Sequence, residues 1–66
     1  MDEKKLIARW ESRGKKYWVE LYQDALGYFY HRDGSLGNLG SCSLEQALAA
    51  GAKQASFAPS KCKRIL

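Results

Sequence analysis

In the segment LIARWESRGKKYWVELY, residues 6–22, apolar and polar side chains alternate on both sides of a central Ser-Arg-Gly-Lys sequence. Alternation with a period of two is typical of half-buried strands, and a glycine between two such runs favours a tight reversal. The stretch therefore predicts a β-hairpin in which Arg13 and Gly14 form a two-residue loop.

This loop would determine which residues face each other and which face of the hairpin is buried. Trp10 is then expected opposite Tyr17, and Arg9 opposite Trp18. One face is apolar and carries Leu6, Ala8, Trp10, Tyr17, Val19 and Leu21. The other face is mixed and carries Ile7, Arg9, Glu11, Lys16, Trp18 and Glu20.

A second reversal is predicted at residues 23–27, because Asp24 and Gly27 are typical loop residues. The aromatic run that follows, YFYHR at residues 28–32, predicts a third strand. A slip of one residue would exchange the two faces of this strand, so its register decides which aromatic side chains are buried. The expected pairs are Tyr22 with Phe29, Leu21 with Tyr30 and Glu20 with His31, which puts Tyr28 and Tyr30 on the apolar face and Phe29 and His31 on the mixed face.

Residues 33–40, DGSLGNLG, predict a tight Asp-Gly turn and a short fourth strand that contains Leu36 and Leu39. The alternative is a glycine-rich loop that cradles a phosphate. Its spacing fits neither of the two common phosphate-binding patterns, and no lysine stands at the required position. We therefore expect a turn and a strand.

The segment SLEQALAAG, residues 43–51, predicts a helix. Ser43 and Gln46 have the spacing of a capping box, and Gly51 is typical of a C-terminal stop. The face expected to pack on the sheet carries Leu44, Ala47, Leu48 and Gly51.

These elements predict an α+β fold with a small antiparallel sheet of three to four strands and one α-helix packed on one face. The chain is expected to form one small domain over residues 1–66. Residues 53–66 are expected to be a loose tail or a short additional strand.

Composition limits the classes of function. A chain of 66 residues buries only about 60% of the surface that its unfolded form exposes, so the core must be thin. The net charge of +4 favours acidic partners, such as nucleic acid or an acidic protein surface. No apolar run is long enough to span a bilayer, and residues 1–5 are charged, so we expect no membrane association and a cytoplasmic location. Cys42 and Cys62 are expected to be free thiols, with a single bridge as the alternative.

Residues with catalytic or metal-binding chemistry are few. The chain has one histidine, His31, and two cysteines twenty residues apart, which is not a recognisable metal-ligand spacing. We therefore expect no cofactor, no metal and no enzymatic activity.

The mixed sheet face is the expected binding site. Arg9 opposite Trp18 is placed for a cation–π contact, and the predicted aromatic strip of Trp18, Tyr22 and Phe29 is edged by Arg13, Lys16 and Arg32. The alternative is that the C-terminal segment, with Phe57, Ile65 and Leu66, covers this strip as a second small core. The basic residues Lys61, Lys63 and Arg64 either add electrostatic affinity or are a solvated terminus.

Two motifs resemble a known family. The sequence KYWVELYQD, residues 16–24, resembles the second strand of AP2-type DNA-binding domains and of the arm-binding domains of phage integrases. The sequence NLGSCSLEQALAA, residues 38–50, resembles the strand end and helix start that follow in that family. The likeness covers roughly residues 6–50. It implies that a three-stranded sheet reaches into the major groove of DNA from the matching positions Arg9, Arg13, Lys16, Trp18 and Arg32.

This chain departs from the family pattern in two ways. The connection from Trp18 to Leu39 is longer and contains an additional aromatic strand. Glu11 and Glu20 fall on the expected contact face, where phosphates would repel them unless Lys16 and His31 neutralise them. Single-stranded nucleic acid, stacked on the aromatic residues, would tolerate them better than a duplex.

The sequence thus predicts a small non-enzymatic protein that binds nucleic acid through a basic and aromatic sheet face. The alternative is a protein–protein interaction module that uses the same face, since Trp, Tyr and Arg dominate protein interfaces. A third possibility is a homodimer that forms through an edge strand of the sheet.

Overall fold

A computed structural model describes residues 4–32 and 34–66. The elements in chain order are β1 (Lys5–Ser12), β2 (Trp18–Asp24), β3 (Gly27–Arg32), β4 (Ser35–Gly40), α1 (Leu44–Ser56) and β5 (Cys62–Arg64). The strands form one antiparallel sheet in the order β4-β3-β2-β1-β5, and α1 packs across one of its faces. The α+β class is confirmed, with one strand more than the upper number predicted. Asp33 of the predicted Asp-Gly turn lies outside the described residues.

The hairpin of β1 and β2 forms, but its predicted two-residue loop is wrong. The buried Ser12 closes a longer loop: its backbone amide donates to the Tyr17 carbonyl at 2.9 Å, and its Oγ accepts from the Tyr17 amide at 3.0 Å. Arg9 consequently pairs with Glu20 rather than with Trp18. The register moves by two residues, and because strand side chains alternate with a period of two, the residues near the loop keep their predicted faces.

A bulge at Ile7 changes the faces at the start of β1. Leu6 pairs with Tyr22 and Ala8 with Leu21, so Ile7 is the extra residue in β1. Ile7 packs against the core, whereas Leu6 lies beside Tyr22 on the mixed face. The predicted faces of these two residues are therefore exchanged.

The register of β2 and β3 is confirmed at Tyr22–Phe29, Leu21–Tyr30 and Glu20–His31. The turn between them is stabilised by Asp24, whose Oδ1 accepts from the amides of Leu26 at 2.9 Å and Gly27 at 3.1 Å. Asp24 therefore does what its residue type predicts in a turn.

The predicted fourth strand is confirmed as β4, which pairs along β3 and has a bulge at Leu39, between Asn38 and Gly40. The glycine at position 37 makes room for the Tyr30 side chain, whose ring lies where a Cβ would stand.

The capping box of α1 is confirmed. Ser43 Oγ accepts from the Gln46 amide, and Gln46 Oε1 accepts from the Ser43 amide, each at 3.1 Å. The predicted stop at Gly51 is wrong, since α1 continues to Ser56. Leu44 is also misassigned: it is 48% exposed, and the buried helix face consists of Ala47, Gly51 and Ala55.

Gly51 is a close-packing residue instead of a helix stop. A Cβ at this position would lie 2.6 Å from the indole of Trp10, so only glycine lets the helix backbone approach the ring this closely. Around this contact the buried hydrophobic residues are Ala8, Trp10, Val19, Leu21, Tyr28, Ala47 and Ala55.

Gly51→Ala is expected to destabilise the protein, although alanine favours helix by about 1 kcal/mol. The added methyl group overlaps the Trp10 ring, and overpacking a dense core costs about 1–3 kcal/mol. Urea denaturation would measure the loss. Trp10→Phe removes the ring atoms that overlap. The double variant Trp10→Phe/Gly51→Ala should therefore lose less free energy of unfolding than the two single variants lose together. Strict additivity of the two changes would contradict the contact.

Candidate functional site

The face of the sheet opposite α1 is called the open face below. Three strands contribute neighbouring side chains to it, since Arg9 pairs with Glu20 and Glu20 pairs with His31. Its residues on β1, β2 and β3 include Arg9, Glu11, Trp18, Glu20, Tyr22, Phe29 and His31, all of them partly exposed.

The C-terminal segment does not cover this face. β5 pairs with β1 and so extends the sheet sideways, and the Ile65 amide donates to the Arg9 carbonyl at 2.8 Å. Phe57, Ile65 and Leu66 are each more than half exposed. The alternative of a second core made from these three residues is therefore wrong.

Arg9 is at the centre of the open face and is held by two carboxylates. Its Nε donates to Glu11 Oε2 at 2.8 Å, and its Nη1 donates to Glu20 Oε2. The other oxygen of Glu20 accepts from the Tyr22 hydroxyl at 2.9 Å. Glu11 and Glu20 are thus neutralised mainly by Arg9, rather than by Lys16 and His31 as predicted.

The predicted cation–π contact is confirmed, although the two residues are diagonal neighbours. The Arg9 guanidinium lies 5.3 Å from the centre of the Trp18 ring. Trp18 and His31 also pack edge to face, with the ring centres 5.2 Å apart and the planes at 85°. The imidazole therefore packs against an aromatic ring of its own sheet.

The aromatic side chains form two separate pairs and no continuous strip. Tyr22 stacks on Phe29 with ring centres 5.2 Å apart, and the Lys4 ammonium lies 4.9 Å from the Tyr22 ring. Glu20 and His31 lie between this pair and Trp18 along their strands. Each of the three rings thus has at least one contact within the chain.

The hydrogen bonds of the open face alter the acidity of two groups. The hydrogen bond to Glu11 raises the pKa of Arg9 above its ordinary value, and partial burial opposes this increase. The hydrogen bond to Glu20 also raises the pKa of Arg9. Burial raises the pKa of the Tyr22 phenol, and its bond to Glu20 adds to the effect. Arg9 and Tyr22 therefore both stay protonated to a higher pH than they would in the unfolded chain.

One end of the sheet is strongly basic. Ser12 pairs with Cys62 and Glu11 with Lys63, so β5 brings the C-terminal lysines next to the loop between β1 and β2. The loop and the C-terminal segment together form the basic end, whose exposed cations are Arg13, Lys15, Lys16, Lys61, Lys63 and Arg64.

The basic end contains a concave surface of about 550 Å³. Arg13, Lys61 and Lys63 line it together with Glu11 and Ile65. Both ion pairs among residues 4–32 and 34–66 belong to Arg9, which leaves the cations of the basic end without carboxylate partners in this part of the chain.

The predicted site residues are divided among three places. Arg9, Trp18, Tyr22 and Phe29 lie on the open face, and Arg13 and Lys16 lie in the basic end. Arg32 does not edge the aromatic strip: it pairs with Val19, and it lines a pocket of about 230 Å³ beneath the end of α1 with Tyr17 and Phe57.

Sequence reasoning missed the association of Lys61 and Lys63 with Arg13. The only local signal is the alternation in Lys61-Cys62-Lys63, where Cys62 packs against the core and its neighbours are exposed. A strand of three residues is too short for periodicity to reveal it.

Searches for similar proteins found no match among protein-family models, curated proteins or solved structures. The resemblance to AP2-type and integrase arm-binding domains therefore remains a prediction from two motifs. Within the described residues there is no group of three or more side chains that could hold a metal ion, and no helix long and apolar enough to cross a membrane.

Arg9→Met is expected to reduce the free energy of unfolding by about 2 kcal/mol, because Glu11 and Glu20 lose a charged hydrogen-bond donor while remaining mostly buried. Chemical denaturation would measure the loss. Arg13→Met is the matched control at an exposed loop arginine and should change stability by less than about 0.5 kcal/mol. Equal effects of the two changes would contradict a structural role for Arg9.

Tyr22→Phe is expected to make stability less sensitive to alkaline pH. The folded state holds the Tyr22 proton more tightly than the unfolded chain does. Its contribution is therefore complete below the unfolded-state pKa of about 10 and is lost as the pH rises through the higher folded-state pKa. Above about pH 10, the wild-type free energy of unfolding should fall more steeply with pH than that of the variant. Parallel curves from denaturation at several pH values would contradict the raised pKa.

Proposed function

We propose that this protein is a small non-enzymatic nucleic-acid-binding protein, and that its affinity comes from contacts between phosphates and the basic end. The observation that carries the proposal is the convergence of Arg13 with Lys61 and Lys63 around one concave surface. Residues far apart in the chain meet here because β5 pairs with β1.

Electrostatics supports phosphate as the ligand group. The chain has a net charge of +4, and the basic end gathers several of its cations on exposed positions without carboxylate partners among the described residues. Exposed lysine and arginine side chains that neutralise phosphates release condensed counterions, which supplies most of non-specific affinity. Of the residues matched by the resemblance to AP2-type domains, Arg13 and Lys16 belong to the basic end.

Arg9 is unsuited to reading bases. Its Nε and Nη1 are bound to carboxylates, and its guanidinium lies over the Trp18 ring. A base edge would have to displace Glu11 or Glu20, which leaves a carboxylate near the phosphates. The proposed binding is therefore directed to the backbone and depends little on base sequence.

The second candidate is a protein-interaction module that uses the open face. Its supporting observation is the same Arg9 network, which fixes charges of both signs beside Trp18 and Tyr22. Ordered arginine and aromatic side chains with mixed charges suit a protein partner.

A reducing compartment fits either function. Cys42 and Cys62 are both free thiols. Free cysteines are usual in the cytosol, where disulfides are rare, so we propose a cytoplasmic location.

Lys63→Ala is expected to weaken nucleic-acid binding and to reduce its dependence on salt. Fluorescence anisotropy with a short duplex and a single strand of mixed sequence would give the binding constant at several salt concentrations. Loss of one phosphate contact should lower the slope of log K against log salt by about 1. Different base sequences should give similar affinities.

Lys53→Ala is the matched control, because Lys53 is an exposed lysine in the last turn of α1 and lies outside the basic end. It should leave the salt slope at the wild-type value. Absence of binding to DNA and RNA at low salt would contradict the proposal and favour a protein partner for the open face. Equal slopes for both variants would contradict the assignment to the basic end.

A further inference from the structure

The two edges of the sheet differ in their protection against pairing with another chain. β5 forms one edge, has only three residues, and carries Lys63 and Arg64. β4 forms the other edge and has six residues, SLGNLG, with neither charge nor proline. Short strands and lysines are usual means of blocking an edge, so β5 is protected and β4 is not.

The bulge of β4 blocks little of this edge. It lies at Leu39, near the end of the strand, and leaves Ser35 to Asn38 paired with β3 in regular register. In an edge strand, alternate backbone groups point away from the neighbouring strand and are available to a new partner. The regular part of β4 therefore offers a template for one more strand.

Exposed apolar side chains lie beside this edge on the open face. Leu36 of β4 is 71% exposed, and Leu26 in the adjacent turn is 80% exposed. Together with Phe29 they line a shallow concavity of about 200 Å³. Burying them would contribute to association, and a neighbouring strand at β4 is in position to do so.

The distribution of charge is compatible with a second copy of this chain as the occupant. β4 and β5 are the opposite edges of the sheet, about 19 Å apart at the usual spacing of strands. Pairing two copies through β4 leaves their basic ends far from the interface. The distance between the two basic ends is then well above the screening length of about 8 Å at physiological salt. The uncharged edge thus lets two basic molecules approach each other without strong repulsion.

We propose that the protein forms a homodimer in which the β4 strands of two copies pair antiparallel about a two-fold axis. The two sheets join into one, and both copies of Leu36 lie on the same side of it. Both α1 helices lie on the other side. The inference goes beyond the proposed function and does not depend on it, because β4 contains none of the residues assigned to nucleic-acid binding.

The test is sedimentation equilibrium of the full chain over micromolar to millimolar concentrations. The expected result is a reversible increase in mass from the 7.5 kDa monomer to the dimer. Leu36→Lys puts a charge on the edge at an exposed position and should raise the dissociation constant at least about tenfold. Leu44→Lys, at an exposed leucine that begins α1, is the matched control and should leave the dissociation constant unchanged.

Hydrogen exchange of the wild-type chain locates the interface without any substitution. Amides of β4 should exchange more slowly at high than at low protein concentration, and those of β5 should not change. A monomer at millimolar concentration would overturn the proposal and leave the edge to a strand of a different protein. A dimer that Leu36→Lys does not weaken, or whose protected amides lie outside β4, would also overturn it.

Discussion

The Trp10 indole packs against the bare backbone of Gly51, and this contact sets how closely α1 approaches the sheet. The chain buries few large side chains, so the indole fills much of the space between the sheet and α1. Close approach of the helix then requires small residues, which is why the buried helix face consists of alanine and glycine. The opposite face of the sheet is left for polar and aromatic residues.

On that opposite face, Arg9 forms ion pairs with Glu11 and Glu20 and so has little free charge for a binding partner. Two carboxylates accept from its Nε and Nη1, and Trp18 lies against its guanidinium, so most of the interactions of Arg9 are made within the open face. The free positive charge is gathered at the edge, where β5 joins the loop between β1 and β2. Structural arginine and binding lysines are therefore separated in space, and this separation favours backbone contacts over base recognition.

The two edges of the sheet are suited to different binding partners. The edge beside β5 is short and cationic, and it suits an anionic polymer. The edge at β4 is longer and uncharged, and exposed leucines adjoin it. A basic chain can pair with itself only where its charge is low, because like charges at a strand edge oppose association. The proposed dimer and the proposed nucleic-acid site thus use different parts of one sheet.

Local sequence pattern was enough to predict β1 to β4, the capping box of α1 and the faces of most strand residues, because these depend on turn chemistry and on a period of two that survives a shift of two residues. Tertiary contacts set the loop closed by Ser12, the role of Gly51, the partners of Arg9 and the joining of Lys61 and Lys63 to Arg13. Each of these depends on contacts between side chains or strands that local pattern does not encode. The basic end in particular exists only because a three-residue strand, too short to have a readable period, pairs with β1.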